Sequence, residues 1–163
     1  GDFKTEVSKN KLQKINKITK IISHQTSYEN YCKEHTNENF NLIFDCTDNH
    51  ENKILSSQFC KKNKIAYVSI SINSTEGIYF SQNYKKDTTA CFACLFPQTD
   101  VNHRCLNSAM IGPVAGFVTS LACTKIIFAL ANSSNDLKSE IKLIDLLTSD
   151  INKLQLADIN CPH

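Results

Sequence analysis

NLIFDCTDN, residues 41–49, is an apolar burst that closes on polar turn-forming residues. A short run of large apolar side chains without alternation suits a strand covered on both faces, the usual state of a parallel sheet. Its polar close, Asp45 to Asn49, then falls at the strand's C-terminal end and opens a loop. A helix is expected next, over about 50–63, followed by IAYVSISI (65–72), a β-branched run that reads as another strand. Strand, helix and strand in immediate succession is the pattern of a crossover unit in an α/β sheet.

Upstream, residues 4–17 carry a thin helical stripe of Val7, Leu12 and Ile15. ITKIIS (18–23) reads as a short strand, and Ser27 as the N-cap of a polar helix running to about His35. Downstream, residues 77–82 alternate, with Gly77 taken as the turn before them, and 83–105 has no clean period and reads as a long functional loop. The segment 109–131 is the most apolar in the chain. IKLIDLL (141–147) and INKLQLA (151–157) end it as two strands with a tight polar connection. The pattern predicts an α/β sheet whose later strands pair antiparallel, in one domain over 1–163.

The chain has 163 residues, 41% apolar and 21% charged, with a net charge of +2. That composition argues against wholesale disorder, collagen-like repeats and coiled coil. It supplies no strong field for nucleic acid or an anionic membrane, so neither is an expected partner. Arg104 is the sole arginine among 18 basic residues, and the 4 glycines spell neither GxGxxG nor a P-loop. No signal-peptide pattern opens the sequence, and a piece of a longer, cytoplasmic protein is expected. Eight cysteines without a secretory signal point to reduced thiols or metal ligands. The 109–131 run is interrupted by Gly112, Pro113, Thr119, Ser120, Thr124 and Lys125, which favours a buried central helix with Pro113 in its first turn over a membrane span.

Three places could carry chemistry. Asp45 to Asn49 lies where α/β sheets bind ligands, and a hard carboxylate such as Asp48 suits Mg²⁺ on a nucleotide phosphate; the same residues would also serve simply as turn and cap. Cys91-Phe92-Ala93-Cys94 is a CxxC that needs a second half for tetrahedral zinc. Cys161 is the natural third thiolate, with His163 or a residue beyond it as the fourth ligand; a redox dithiol and unrelated structural cysteines are the alternatives. Arg104-Cys105 puts a thiol beside a guanidinium near a helix start, which would lower its pKa unless it is a half-buried, inert cysteine.

Taken together and in this order, these pieces resemble the ThiF/MoeB/HesA family, the activating enzymes of ubiquitin-like proteins and sulfur carriers. Gly1-Asp2-Phe3-Lys4, followed by a helix ending at Ile15-Asn16, is similar to the family's GxxK…L…IN segment. NLIFDCTDN is similar to its DLVxDCTDN, and CFACLFP to its CxxCLxP. Cys105 followed by AMIGPVAGFVTSLACTKIIFAL is similar to its cysteine before a Gly-Pro-Gly helix, and NCPH to the opening of its closing CPxC.

The resemblance implies a Rossmann-like mixed sheet with helices on both faces and an antiparallel C-terminal extension. It makes this chain the C-terminal two-thirds of an adenylyltransferase domain, with the family's first strand, GxGxxG loop and ribose-binding aspartate falling before Gly1. By position, Lys4 matches a lysine that contacts ATP phosphates, Asp48 an aspartate that serves Mg²⁺ and nucleotide with Asn49 beside it, and Cys91, Cys94 and Cys161 three of four zinc thiolates. Cys105 matches a cysteine that, in some members, bonds covalently to the carrier. Lys53 stands where the family usually has Arg, and Ser57 where Asn is common. The implied reaction is ATP-dependent adenylation of the C-terminal glycine of a ubiquitin-like or sulfur-carrier protein ending in Gly-Gly, by a homodimer. The rivals are a degenerate, non-catalytic subunit of a heterodimeric activating enzyme and an unrelated zinc-stapled oxidoreductase.

Overall fold

The computed structural model describes residues 2–35, 39–86, 90–97, 110–132, 137–156 and 161. They fall into two compact units, Gly1–Glu38 and Asn39–His163, where the sequence alone reads as one domain.

The first unit holds α1 (Lys4–Ile15) and α2 (Tyr28–Glu34). Ser27 caps α2 as expected, its Oγ accepting the Asn30 amide at 3.3 Å. The strand expected at 18–23 is not formed. Asn16 ends α1, and its side-chain oxygen accepts the amides of Ile18 and Thr19 at 2.9 and 3.1 Å. Those donors are spent on a local turn, and no described strand offers the segment a ladder partner.

The second unit is a five-stranded sheet in the order β1 (Leu42–Asp45), β2 (Ala66–Asn73), β3 (Glu76–Asn83), β4 (Glu140–Asp145) and β5 (Asp150–Gln155). β1 and β2 are parallel, joined by α3 (His50–Lys62); every later pair is antiparallel. The mixed sheet with an antiparallel extension is therefore as the sequence implies.

β2 shows why helices cover both faces. Ala66, Val68 and Ile70 share a core with Val114, Val118 and Ala122 of α5 (Gly112–Ala131), whereas Tyr67, between them, packs with Cys60 of α3 and Phe80 of β3. Alternate side chains leave opposite faces of a strand, so the two helices sit on opposite sides.

Gly77 is not the turn residue. It lies inside β3, opposite Ile72 and Ile144, and a Cβ built there would sit 2.4 Å from Val118 Cγ2. Its role is close approach of α5. The β2–β3 turn is made instead by Ser74, at φ 53°, and Thr75.

α5 is long and apolar enough by composition to cross a membrane, but it packs on β2 and β3. The expected central helix is buried along one side only. Val114, Val118, Ala122 and Ala129 are buried, while Ile127, Phe128 and Leu130 are each more than half exposed, because one sheet face covers one side of a helix apolar all round. Lys125, an interruption when read in sequence, has a structural partner. It and Lys153 of β5 hold the buried Glu140 carboxylate at 2.6 and 2.9 Å.

Candidate functional site

Residues expected to act on a nucleotide occupy the end of β1. Asn49 is the N-cap of α3, its Oδ1 accepting the Asn52 amide at 3.2 Å, and Asp48 stands exposed beside it in the loop. A carboxylate at a helix N-terminus and outside a strand's C-terminal end is placed to hold a hard cation or meet phosphate charge. Lys4 belongs to the first unit, where it begins α1 and borders an open hollow shared with residues 24–27. Arg104, Cys105 and His163 lie outside the described residues.

Behind Asp48 is a buried network that the sequence reading passed over. Asp45, the last residue of β1, is 5% exposed. Its Oδ1 accepts both the amide and the hydroxyl of Thr47, at 2.8 and 2.7 Å, and its Oδ2 accepts the Tyr67 hydroxyl at 3.0 Å. Lys53, in the first turn of α3, is 4% exposed and reaches under the loop. Its Nζ donates to Ser69 Oγ at 3.0 Å and to the Ile70 carbonyl at 2.8 Å, and lies 3.7 Å from Asp45 Oδ1. Burial pushes the Asp45 carboxyl upward, but the Lys53 charge with bonds from Thr47 and Ser56 outweighs it, leaving the group below the usual carboxylate range. For Lys53, burial wins and holds the ammonium below its ordinary value despite Asp45. The available signal was chemical: an Asp closing a buried strand demands a cation or several donors.

The second cluster is the CxxC. Cys91 caps a single helical turn, α4 (Phe92–Leu95), so the CxxC does open a short helix where the sequence suggested none. Cys94 Sγ lies 3.6 Å from Cys91 Sγ and 3.4 Å from Cys161 Sγ, and all three sulfurs fall within 4.8 Å of one another. Thiolates bound to zinc at about 2.3 Å with tetrahedral angles stand about 3.8 Å apart, so these three donors fit that ion. Burial pushes the Cys91 thiol up to about 12; a divalent cation among the sulfurs would reverse that balance. Phe92 anchors the turn against Phe80 and Phe96, with ring centroids 5.5 and 4.8 Å apart. Its amide donates to Ser57 Oγ at 3.4 Å, and Ser57 shares a hydrogen bond of 2.5 Å with the Tyr84 hydroxyl. Ser57 thus ties α3 to the cysteine turn, a role no sequence pattern announced.

Comparison with known proteins places this arrangement. The chain is 24% identical over 136 residues to the adenylyltransferase and sulfurtransferase MOCS3 of Dictyostelium discoideum, covering 82% of this chain and 32% of that protein. It is 27% identical over 130 residues to the adenylyltransferase and sulfurtransferase UBA4 of Meyerozyma guilliermondii, covering 78% and 30%. It therefore spans about a third of the length of these relatives. In fold it is similar to E. coli MccB crystallised with ATP, with a TM-score of 0.77 and 18% identity over 99% of this chain and 50% of that one. The fold is thus one already known, and the model of the ThiF family matches residues 1–163: the chain belongs to the ThiF family.

Proposed function

We propose that the chain is the C-terminal two-thirds of an ATP-dependent activating domain that adenylates the C-terminal glycine of a ubiquitin-like or sulfur-carrier protein ending in Gly-Gly. The observation that carries this reading is Asp48 and Asn49, exposed at the end of β1 and the start of α3, in a chain matched by the ThiF family throughout. The carrier's carboxylate is already anionic at neutral pH, so its oxygen forms a bond to the α-phosphorus without a strong general base, and the bond to pyrophosphate breaks. Asp48 holds Mg²⁺, which neutralises phosphate charge, and Lys4 adds a second positive contact. Cys105, with Arg104 beside it, is the residue for any later covalent transfer from the adenylate.

Cys91, Cys94 and Cys161 hold one structural Zn²⁺, with His163 or a residue beyond it as fourth ligand. Three thiolates and a fourth protein ligand leave no open position for a substrate. The protein works in the cytoplasm as a homodimer, which would cover the exposed apolar side of α5. The test is ATP–pyrophosphate exchange on the full-length protein with candidate carriers supplied singly. Exchange should require one carrier, and Asp48→Asn should lower it at least tenfold. Full zinc with no exchange for any carrier would replace this reading with a non-catalytic subunit.

A further inference from the structure

We propose that Lys53 is a positioning residue for the Asp48 loop: buried against β2, it clamps Asp45, and Asp45 in turn sets the course of the chain through Thr47 to Asp48. The proposal rests on the adenylation reading for its functional consequence, not for its geometry.

Lys53 is engaged within the protein: its ammonium donates to Ser69 Oγ and the Ile70 carbonyl, and it pairs with the Asp45 carboxylate at an ion-pair distance of 3.7 Å. Ser69 is the register partner of Asp45, so Lys53 bridges the end of β1 to the middle of β2, which runs on to Asn73. The other half of the device is Asp45. Its Oδ1 takes both Thr47 donors and forces the chain to bend immediately after β1, while Tyr67 fixes Oδ2 and reaches back to the Lys53 carbonyl at 3.2 Å. The bend leads through Asp48 to Asn49, which caps the helix that carries Lys53. Asp48 therefore rides on a closed circuit: strand end, Asx-type bend, helix cap, first helical turn and back to the strand end through a buried ion pair. Removing one charge from such a pair leaves the other buried and uncompensated, and the circuit opens at the bend.

The substitution Lys53→Met keeps the length of the side chain and deletes its donors. In the full-length protein, amide hydrogen exchange at Thr47 should rise at least tenfold while Val68, in the β2 ladder, stays protected. Asp45→Asn should do the same. Lys53→Arg, which restores charge and donors, should bring Thr47 exchange within about threefold of the parent. In pyrophosphate exchange, Lys53→Met should raise the half-saturating Mg²⁺ concentration at least fivefold and leave the carrier KM unchanged. A purely structural role would lower stability without that split. Unchanged Thr47 protection in both Lys53→Met and Asp45→Asn would overturn the proposal, as would equal shifts in the Mg²⁺ and carrier constants. Should the parent show no pyrophosphate exchange, the adenylation reading fails, and the Thr47 measurement still decides the positioning role. If Lys53→Met does not fold, Asp45→Asn and Lys53→Arg decide it alone.

Discussion

Substituting Gly77→Ala puts a methyl group where α5 crosses β3. The new Cβ would stand 2.4 Å from Val118 Cγ2, whereas Val118 Cβ and Cγ1 are both 3.5 Å away. Carbon atoms rest at about 3.5–4.0 Å, so one methyl of Val118 alone causes the collision, and α5 or the strand must yield by roughly 1 Å. Val118 is fully buried and cannot swing aside into solvent. Overpacking of this kind costs about 1–3 kcal/mol, against which alanine returns about 0.5–1 kcal/mol of backbone entropy. Gly77→Ala should therefore destabilise by about 1–2 kcal/mol. Val118→Ala alone should cost about 2 kcal/mol through lost burial and the space left behind. The double variant is the informative one. With Cγ2 gone the nearest atom is Val118 Cβ at 3.5 Å, an ordinary contact, and the added methyl refills the vacated space. Its total loss should be near that of Val118→Ala alone, a coupling of about 1–2 kcal/mol. Urea unfolding read by circular dichroism, with the denaturant slope held in common, measures all four proteins. Additivity within about 0.5 kcal/mol, or a neutral Gly77→Ala, would refute the argument.

Lys64 closes α3 at φ 53°, with the Ile65 amide bonded to the Cys60 carbonyl at 2.8 Å, the geometry in which helices favour glycine; Lys64→Gly should raise stability by about 0.5–1 kcal/mol in the same urea assay. Cys91→Ser in the full-length protein should drop bound zinc from one equivalent to below about a tenth by atomic emission, leaving pyrophosphate chemistry without a direct effect. Because the folded Asp45 carboxyl lies below its unfolded value of about 3.9, its contribution is complete above that pH and is lost as pH falls through the folded value. Stability measured from pH 6 to pH 2 should fall less steeply for Asp45→Asn; an identical acid limb would count against the buried pair.

The crossover was legible because three local signals agree there: an apolar burst, a polar close with Asn49 ready to cap, and a β-branched run after the helix. Both caps, Ser27 and Asn49, were readable for the same reason. The segment 18–23 misled because β-branching describes a candidate strand, whereas a strand exists only with a neighbour, and Asn16 claims its first amides. Gly77 misled because this chain, short of glycine, places Lys64, Ser74 and Ser149 at the left-handed positions among the described residues. The uniform apolarity of α5 marks no face, so the sequence showed a helix with more apolar surface than one sheet can cover but not which side would be buried. In the site, the cysteine cluster was visible from residue type alone. The Asp45–Lys53 clamp was not, since it joins a strand end to a helix turn through side chains whose direction only the packed fold defines.

The sheet's strand order follows the chain, yet its joints are unequal in reach. β2 and β3 meet across a two-residue turn, and β4 and β5 across a short one, so each hairpin assembles from neighbouring sequence. The seam between β3 and β4 is different: Asn83 bonds Ser139 across 56 positions, and the cysteine turn and α5 lie in between. Closing that seam brings together residues far apart in sequence and carries the largest loop-closure cost among the sheet's strand pairs, so it should form after the hairpins. Until it closes, both hairpins present unpaired edges; Glu140 and Lys153 pair within the β4–β5 hairpin, but the Lys125 arm from α5 reaches Glu140 only once β4 has joined β3 beneath that helix. The charged lock on α5 is thus a late contact, one that governs how fast the sheet opens more than how fast it forms.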